Sequence, residues 1–353
     1  MIIAHLVFMM KFGGIESMLV NIANIQQKLG HDVHLFIIND GEEPSLISAL
    51  DKQITIHRIE RPIGSKSPFY PLKLSFKLRR LRPDIVHIHT SSIYRHIALA
   101  FMSDRICFTF HSMKFVDGKI PGFLKKFKRL FSISQSVHDS LKKLTSLEST
   151  IVYNGIVSSK FKSESERSDR SIFKIIQTGR LIIETKGQDI LLRATKILVD
   201  RGYKDFEVYF VGDGPSKEYL QNLADELGLS EIVTFMGTKT QEYIQNNLCD
   251  YDLFVMPSRF EGFGLTVAEA MAAKLPVIVS KCDGLLEVVD NGKAGYIFEK
   301  GEACDLADKI ELFLCKENNP DMIQIAYNRV RKEFDVENTA KRYIEEYRKM
   351  LDE

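Results

Sequence analysis

The stretch PSRFEGFGLTVAEAMAAKLPVIVS, Pro257 to Ser280, decides the fold. It reads as the end of one strand, a tight Gly262-Phe263-Gly264 turn, a helix, and the β-branched run of the next strand. Strand, helix and strand in that order belong to a parallel α/β sheet. Two glutamates, Glu261 and Glu269, sit on either side of the turn. The first amides of a helix are unpaired and its peptide dipoles sum there to about half a positive charge, so the turn attracts anions. Carboxylates beside such a site suit a ligand that is anionic at one end and rich in hydroxyls elsewhere, as a nucleotide-sugar is.

The same alternation extends outward in both directions. Upstream, IIAHLVF, DVHLFII, ITIHRI, DIVHIHT, RICFTFH, LFSIS and TIVYNG are strand candidates. Among the segments between them, SMLVNIANIQQKLG has helical period and a glycine stop. The stretch SSKFKSESERSDR (158–170) reads as a linker. Beyond it FKIIQTGRL, FEVYFVGDG, IVTFMG, LFVMPS, PVIVS and GYIF restart the pattern. The expectation is two doubly wound α/β, Rossmann-like domains, 1–157 and 158–335, facing across a cleft. The amphipathic tail 336–353 is expected to form a helix that packs back on the first domain.

At 353 residues, 44% hydrophobic and 27% charged, the chain has the composition of a folded soluble protein of two domains. No apolar run reaches the roughly 18 residues of a spanning helix, and the N-terminus reads as a first strand rather than a leader peptide. Five scattered cysteines, without metal spacing, read as reduced thiols in a cytosolic protein.

In open α/β sheets, ligands sit at the carboxyl ends of strands. After the first strand, Gly13 and Gly14 let backbone approach a ligand, or simply make a turn. After the first strand of the second half, TGRLIIETKG presents Arg180 and Lys186, a rigid fork and a mobile point charge that together can clamp a diphosphate. Each alone is equally a solvated surface charge. GDGP (212–215) reads as a turn with a helix cap. The amides around Gly262, Phe263, Gly264 and Leu265 can meet a phosphate or a sugar hydroxyl. Glu261 can accept from sugar hydroxyls, and Glu269 can hold a vicinal diol such as a ribose. Asp250 and Asp252 form an Asp-x-Asp, but they precede a strand and lie at the wrong end of the sheet for a metal–diphosphate. His87 and His89 are read as pointing to opposite faces, and neither is given a catalytic role.

With GGIE, GHDV, PDIVHIHT, TFHSM, YNGI, TGRL…KG, GDGP, FMG and the opening stretch in collinear order, the chain resembles the retaining glycosyltransferases of family 4, of GT-B fold and bacterial lipopolysaccharide or capsule type. The resemblance runs nearly end to end and is most specific at its two glutamates. It implies that Arg180 and Lys186 hold the donor diphosphate with help from Gly13 and Gly14. It further implies that Glu269 binds the ribose, Glu261 the transferred sugar, Met236 and Gly237 lie near the base, and His111 faces the donor sugar. Without it, His111 reads as a satisfied strand-end histidine. The implied catalytic set is Glu261, His111, Arg180 and Lys186. No metal or other cofactor is expected, and a UDP-sugar is the expected substrate. Rival readings are a non-hydrolysing sugar-nucleotide epimerase and a nucleotide-sugar-binding partner without turnover.

Net charge is +1, yet residues 1–162 hold 23 Lys+Arg against 12 Asp+Glu and the remainder 25 against 35. Two basic-apolar segments, FYPLKLSFKLRRLRPD and KIPGFLKKFKRLF, fall in the positive half. Each is either a solvated basic face over ordinary core leucines or a surface for an anionic membrane; with both in the positive half, they are expected to contact the cytoplasmic face of the inner membrane, where a lipid-linked or glycan acceptor is expected. No nucleic-acid recognition module is visible.

Overall fold

Every strand expected from the sequence forms, and every pairing is parallel. The computed structural model describes residues 1–11, 13–90, 93, 103–112, 124–125, 127–165, 171–317 and 319–353. The first sheet holds β1 (Ile2–Val7), β2 (Asp32–Asn39), β3 (Thr55–Arg61), β4 (Ile85–Ile88), β5 (Ile106–Phe110), β6 (Arg129–Ser132) and β7 (Thr150–Ile151). Their order is β3-β2-β1-β4-β5-β6-β7. The second holds β8 (Phe173–Thr178), β9 (Phe206–Val211), β10 (Val233–Phe235), β11 (Leu253–Met256), β12 (Val277–Ser280) and β13 (Tyr296–Phe298), in the order β10-β9-β8-β11-β12-β13. Strand order reverses between β1 and β4 and again between β8 and β11. Each switch point leaves a crevice above the strand ends of its own sheet. Helices on both faces explain the near-continuous apolar strands: all four residues of β4, β11 and β12 are buried.

The chain divides into two units, Met1–Ile156 with Asp335–Glu353, and Val157–Phe334. The last helix, Val336–Asp352, therefore belongs to the first unit, where it lies against the helix Gly14–Lys28. The Val336 amide donates to the Ile156 carbonyl at 2.8 Å, and Thr339 Oγ1 donates to the Tyr153 carbonyl at 2.9 Å. A Cβ on Gly155 would lie 2.5 Å from the Val336 Cα, so this docking requires glycine. Tyr343 and Tyr347, one turn apart, are fully buried against the sheet.

Two expectations change. The described part of the 158–170 stretch is not a free linker. It opens with the short 3₁₀ turn Ser158–Lys160, buries Ser158 and Phe161, and bonds Lys162 to Gln245 and Ser165 to Asp250 of the second unit. The changeover lies at Ile156/Val157 and Phe334/Asp335, each within one residue of the expected bounds, and the stretch follows it as part of the second unit. In KIPGFLKKFKRLF, Leu124, Phe127 and Leu130 are core residues, so they are not available to a membrane. The rest of that segment before Leu124, and Lys126, fall outside the described residues.

Candidate functional site

In the second unit the sequence brings two loops together at the ends of β8 and β11. After β8 the chain makes the short helix Ile183–Lys186 and turns at Gly187, whose positive φ of 64° and close approach to the Pro257 carbonyl exclude a side chain. After β11 it runs through Ser258–Gly264 into the helix Leu265–Ala272. The amides of Arg259 and Phe260 donate to the Thr185 carbonyl at 2.8 and 3.1 Å. Arg259 adds a bidentate bond to Asp189 (2.7 and 2.8 Å) and a third bond to the Ile183 carbonyl. These bonds fix the positions of Lys186 and Glu261: the ammonium lies 2.5 Å from Glu261 Oε2, both side chains mostly buried.

Gly264 ends this loop at φ 109°, and no side chain caps the helix that follows. The backbone of Glu261–Gly262 is packed against Gly284, where a Cβ would fall 2.5 Å from the Glu261 carbonyl oxygen. Phe263 turns its ring into the core, edge-on to Phe334 at 5.0 Å. Only its backbone can therefore meet a ligand. Glu269, one turn along the helix, accepts from Gln241 Nε2 at 2.9 Å; desolvation pushes its carboxyl up to about 7 against that bond. Arg180 is exposed at the end of β8 and has no ion-pair partner among the described residues. Met236 and Gly237 follow β10, with the Gly237 carbonyl accepting from the Gly212 amide at 2.9 Å. Cation, carboxylate and uncapped helix thus share one loop pair. A diphosphate and its flanking hydroxyls match that inventory.

Asp252 receives the Lys174 amide at 2.8 Å just before β11, and Asp250 receives Ser165. Both sit at the opposite ends of the strands from Lys186 and Glu261.

The first unit holds Gly13, Gly14 and His111. Gly13 precedes the helix Gly14–Lys28, and a Cβ there would fall 2.3 Å from Glu16 Oε2. Burial raises the Glu16 carboxyl while its own amide lowers it. A carboxylate of the chain itself therefore covers the glycine turn, which the sequence reading had left open to a ligand.

His111 follows β5, half-buried, with its Nδ1 covered and without a partner among the described residues. It is not the satisfied strand-end histidine of the alternative reading. Nor do His87 and His89 point apart: residues two apart on a strand share a face, and their rings lie 4.0 Å from one another. His5 of β1 pairs in register with His87 and completes the group. His5 Nε2 contacts Gln26 Oε1 at 2.7 Å, His5 Nδ1 contacts His89 Nε2 at 3.0 Å, and His89 Nδ1 reaches His111 Nε2 at 3.4 Å. His87 lies between Tyr347 (2.5 Å) and Thr109 (2.7 Å). Ligand-type atoms of His5, His87 and His89 lie within 4.8 Å of one another. Their nitrogens are nevertheless engaged in these hydrogen bonds, which a metal would have to break. Burial keeps all four imidazoles neutral: His5 falls to about 4, His111 to about 3, and His87 and His89 lie well below the usual value.

Comparison with known proteins gives one consistent result. The family model described as Glycosyltransferase Family 4 matches residues 12–160, and that described as Glycosyl transferases group 1 matches residues 158–329. An uncharacterized glycosyltransferase of Haemophilus influenzae is 26% identical over 88% of this chain and 88% of its own. The N-acetyl-alpha-D-glucosaminyl L-malate synthase of Bacillus anthracis is 26% identical over 89% of this chain and 88% of its own. Among solved structures, Anabaena Alr3699/HepE in complex with UDP and glucose superposes with a TM-score of 0.82 at 21% identity, over 98% of this chain and 99% of that one.

Proposed function

The chain belongs to glycosyltransferase family 4, with the paired parallel-sheet domains of the GT-B fold, and on that premise we propose that it moves a sugar from a nucleotide-sugar, a UDP-sugar by preference, to a hydroxyl of a cell-envelope glycan or lipid-linked acceptor. The observation that carries the reading is the Lys186–Glu261 contact beside the uncapped helix Leu265–Ala272, with Glu269 one turn further on. HepE's binding of UDP and glucose on the same fold supports the donor class.

In this mechanism the departing diphosphate gathers negative charge, which Arg180, Lys186 and the amides of Gly262 to Leu265 stabilise. Glu261 accepts from hydroxyls of the transferred sugar, Glu269 from the ribose, and Met236–Gly237 border the base. From the first unit, Gly13, Gly14 and His111 are assigned to the donor as well. The sequence offers no obvious nucleophile for a double displacement. The acceptor hydroxyl therefore attacks the oxocarbenium-like carbon from the face the diphosphate leaves, its proton passes to that phosphate, and configuration is retained. Charge neutralisation by guanidinium, ammonium and amides gives activity that persists in a chelator.

Acceptor delivery is proposed to use the helix Phe69–Leu81, which is basic in its last turn and carries exposed Phe69, Leu72 and Phe76. It places the first unit on an anionic membrane. No helix among the described residues is long and apolar enough to cross one.

Nucleotide release that depends on acceptor is the deciding assay, run on donors chosen by thermal shift against UDP-, GDP- and ADP-sugars. A donor at 100 times its Kd stabilises by about 2.7 kcal/mol. Release at the same rate without any acceptor, or nucleotide-sugar interconversion without release, overturns the proposal.

A further inference from the structure

Three histidines of the first unit, His5, His89 and His111, are linked end to end, and the chemistry of the far end sets the protonation of the near one. The side-chain carbonyl of Gln26 can only accept, so His5 Nε2 carries the hydrogen in their 2.7 Å bond. A neutral imidazole has one N–H, so His5 Nδ1 is then an acceptor, and the hydrogen in its 3.0 Å bond belongs to His89 Nε2. By the same step His89 Nδ1 accepts, and His111 Nε2 donates to it across 3.4 Å. His111 Nδ1 is left as a bare lone pair, covered and without a partner among the described residues. The Gln26 amide nitrogen, turned toward the Tyr347 side, is covered and has no hydrogen-bond partner among the described residues, so the relay takes its sense from the carbonyl oxygen set against His5. His87 stands outside the relay: its two nitrogens are taken by Tyr347 and Thr109.

We propose that Gln26, His5 and His89 are positioning residues that hold His111 in its Nε2–H tautomer, so that Nδ1, covered in the unliganded chain, is kept as a hydrogen-bond acceptor for a sugar hydroxyl of the donor. The inference rests on the reading of His111 as a donor-facing residue. It adds that the selected group is an O–H donor, and that three residues without ligand contact enforce the selection. Desolvation supports the relay, because each link requires neutral imidazoles and burial keeps all three rings neutral through the working range. Reversing the Gln26 amide would reverse every bond and turn His111 Nδ1 into a donor. The tautomer at His111 therefore reports directly on a residue three links away.

The test is a long-range proton–nitrogen NMR spectrum of the full chain labelled at histidine, with the His111 signal assigned by its loss in His111→Asn. The expected wild-type spectrum between about pH 6 and pH 8 has His111 protonated at Nε2 and bare at Nδ1. Gln26→Leu removes the acceptor and is expected to shift His111 toward the other tautomer, with kcat falling on the order of tenfold while KM for the donor is nearly unchanged. Gln26→Glu keeps an acceptor for His5 and is expected to restore both. A protonated Nδ1 in the wild type overturns the proposal, as does an unaltered tautomer in a folded Gln26→Leu. Should that variant not fold, the wild-type spectrum decides. If His111→Asn transfers sugar at the wild-type rate, the donor-facing reading fails on its own account, and the spectrum still decides the relay.

Discussion

The ammonium of Lys186 and the carboxylate of Glu261, 75 positions apart in the chain, touch at 2.5 Å between two loops that Arg259 and Asp189 bind together. Lys186 is thus neutralised before any donor arrives, and a diphosphate must share it with Glu261. Lys186→Met removes the cation and leaves the mostly buried Glu261 carboxylate without its ion-pair partner, where it repels the donor diphosphate. The expected loss in kcat/KM is about 10²–10³, the scale of one lost oxyanion donor, roughly 2.7–4 kcal/mol. Adding Glu261→Gln to that variant relieves the stranded charge, so the double mutant binds UDP more tightly than Lys186→Met alone, a non-additivity that titration calorimetry reads directly. Arg180→Ala is expected to cost a similar amount in turnover; near wild-type kcat would remove its assignment.

Glu269 gives a pH dependence to nucleotide binding. Its carboxyl is pushed up to about 7 by desolvation, so the unliganded protein carries it largely protonated below that pH. A ribose diol is best held by two acceptor oxygens, so UDP affinity is expected to fall as pH drops from 8 to 6, and Glu269→Gln should flatten the profile. For stability, a carboxyl raised above its ordinary 4.5 contributes in full below that value, and the contribution is lost as pH rises through about 7.

The buried histidines act with the opposite sign. His5 falls to about 4 and His111 to about 3, while the unfolded chain protonates near 6.5. Their stabilisation is present above 6.5 and is lost as pH falls toward 4, where the unfolded state binds more protons. A drop from 6.5 to about 4 on a fully buried His5 corresponds to about 3 kcal/mol. Urea titrations at pH 7 and 5 should show the first unit weakening in acid, and His5→Asn should remove part of that slope. An acid-insensitive midpoint would contradict burial of neutral imidazoles.

The thirteen strands among the described residues were legible because parallel strands covered on both faces read as short apolar runs bounded by turn residues, as LFVM and PVIVS do. Glu261 and Glu269 were legible from the glycine turn that separates them. Their partners were not. Lys186–Glu261, Arg259–Asp189 and Gln241–Glu269 join residues 75, 70 and 28 positions apart, and no local spacing encodes such contacts. The histidine group was missed for a different reason. The two-residue period places His87 and His89 on one face, and β1 lies beside β4, so the signal was present in DIVHIHT but read with the wrong parity. The ring of Phe263 shows the converse limit: a residue inside a binding motif can serve the core while lending only its amide.

Close backbone approach gives a prediction that is independent of charge. Gly284 lies where a Cβ would meet the Glu261 carbonyl oxygen at 2.5 Å and the Gly262 carbonyl carbon at 2.7 Å, both main-chain atoms. Gly284→Ala must therefore move the Glu261 loop. Overpacking of this kind costs about 1–3 kcal/mol. The expected outcome is a modest fall in Tm with a disproportionate loss of UDP binding, because the displaced loop carries Glu261 and leads into the helix Leu265–Ala272. Equal loss of stability and no change in UDP affinity would show that the loop does not carry the ligand.

On the helix Phe69–Leu81, Leu74 and Leu78 face the core while Phe69, Leu72 and Phe76 are 60%, 64% and 66% exposed. Those three recur at the spacing of a single helical face, and Arg79 and Arg80 continue toward its end. Apolar bulk on the outer side of a two-sided helix would cost solubility with no packing in return, whereas against lipid each large side chain gains about 1.5–3 kcal/mol on burial. Each basic residue near an anionic surface adds about 1 kcal/mol, screened by salt. The protein is therefore expected to co-sediment with vesicles containing phosphatidylglycerol, to be released in part by high salt, and to bind phosphatidylcholine vesicles weakly. Replacing Phe69, Leu72 and Phe76 together by Ser should abolish the salt-resistant fraction without changing turnover on a soluble acceptor. Absence of binding to anionic vesicles at low salt would assign this face to something other than a membrane.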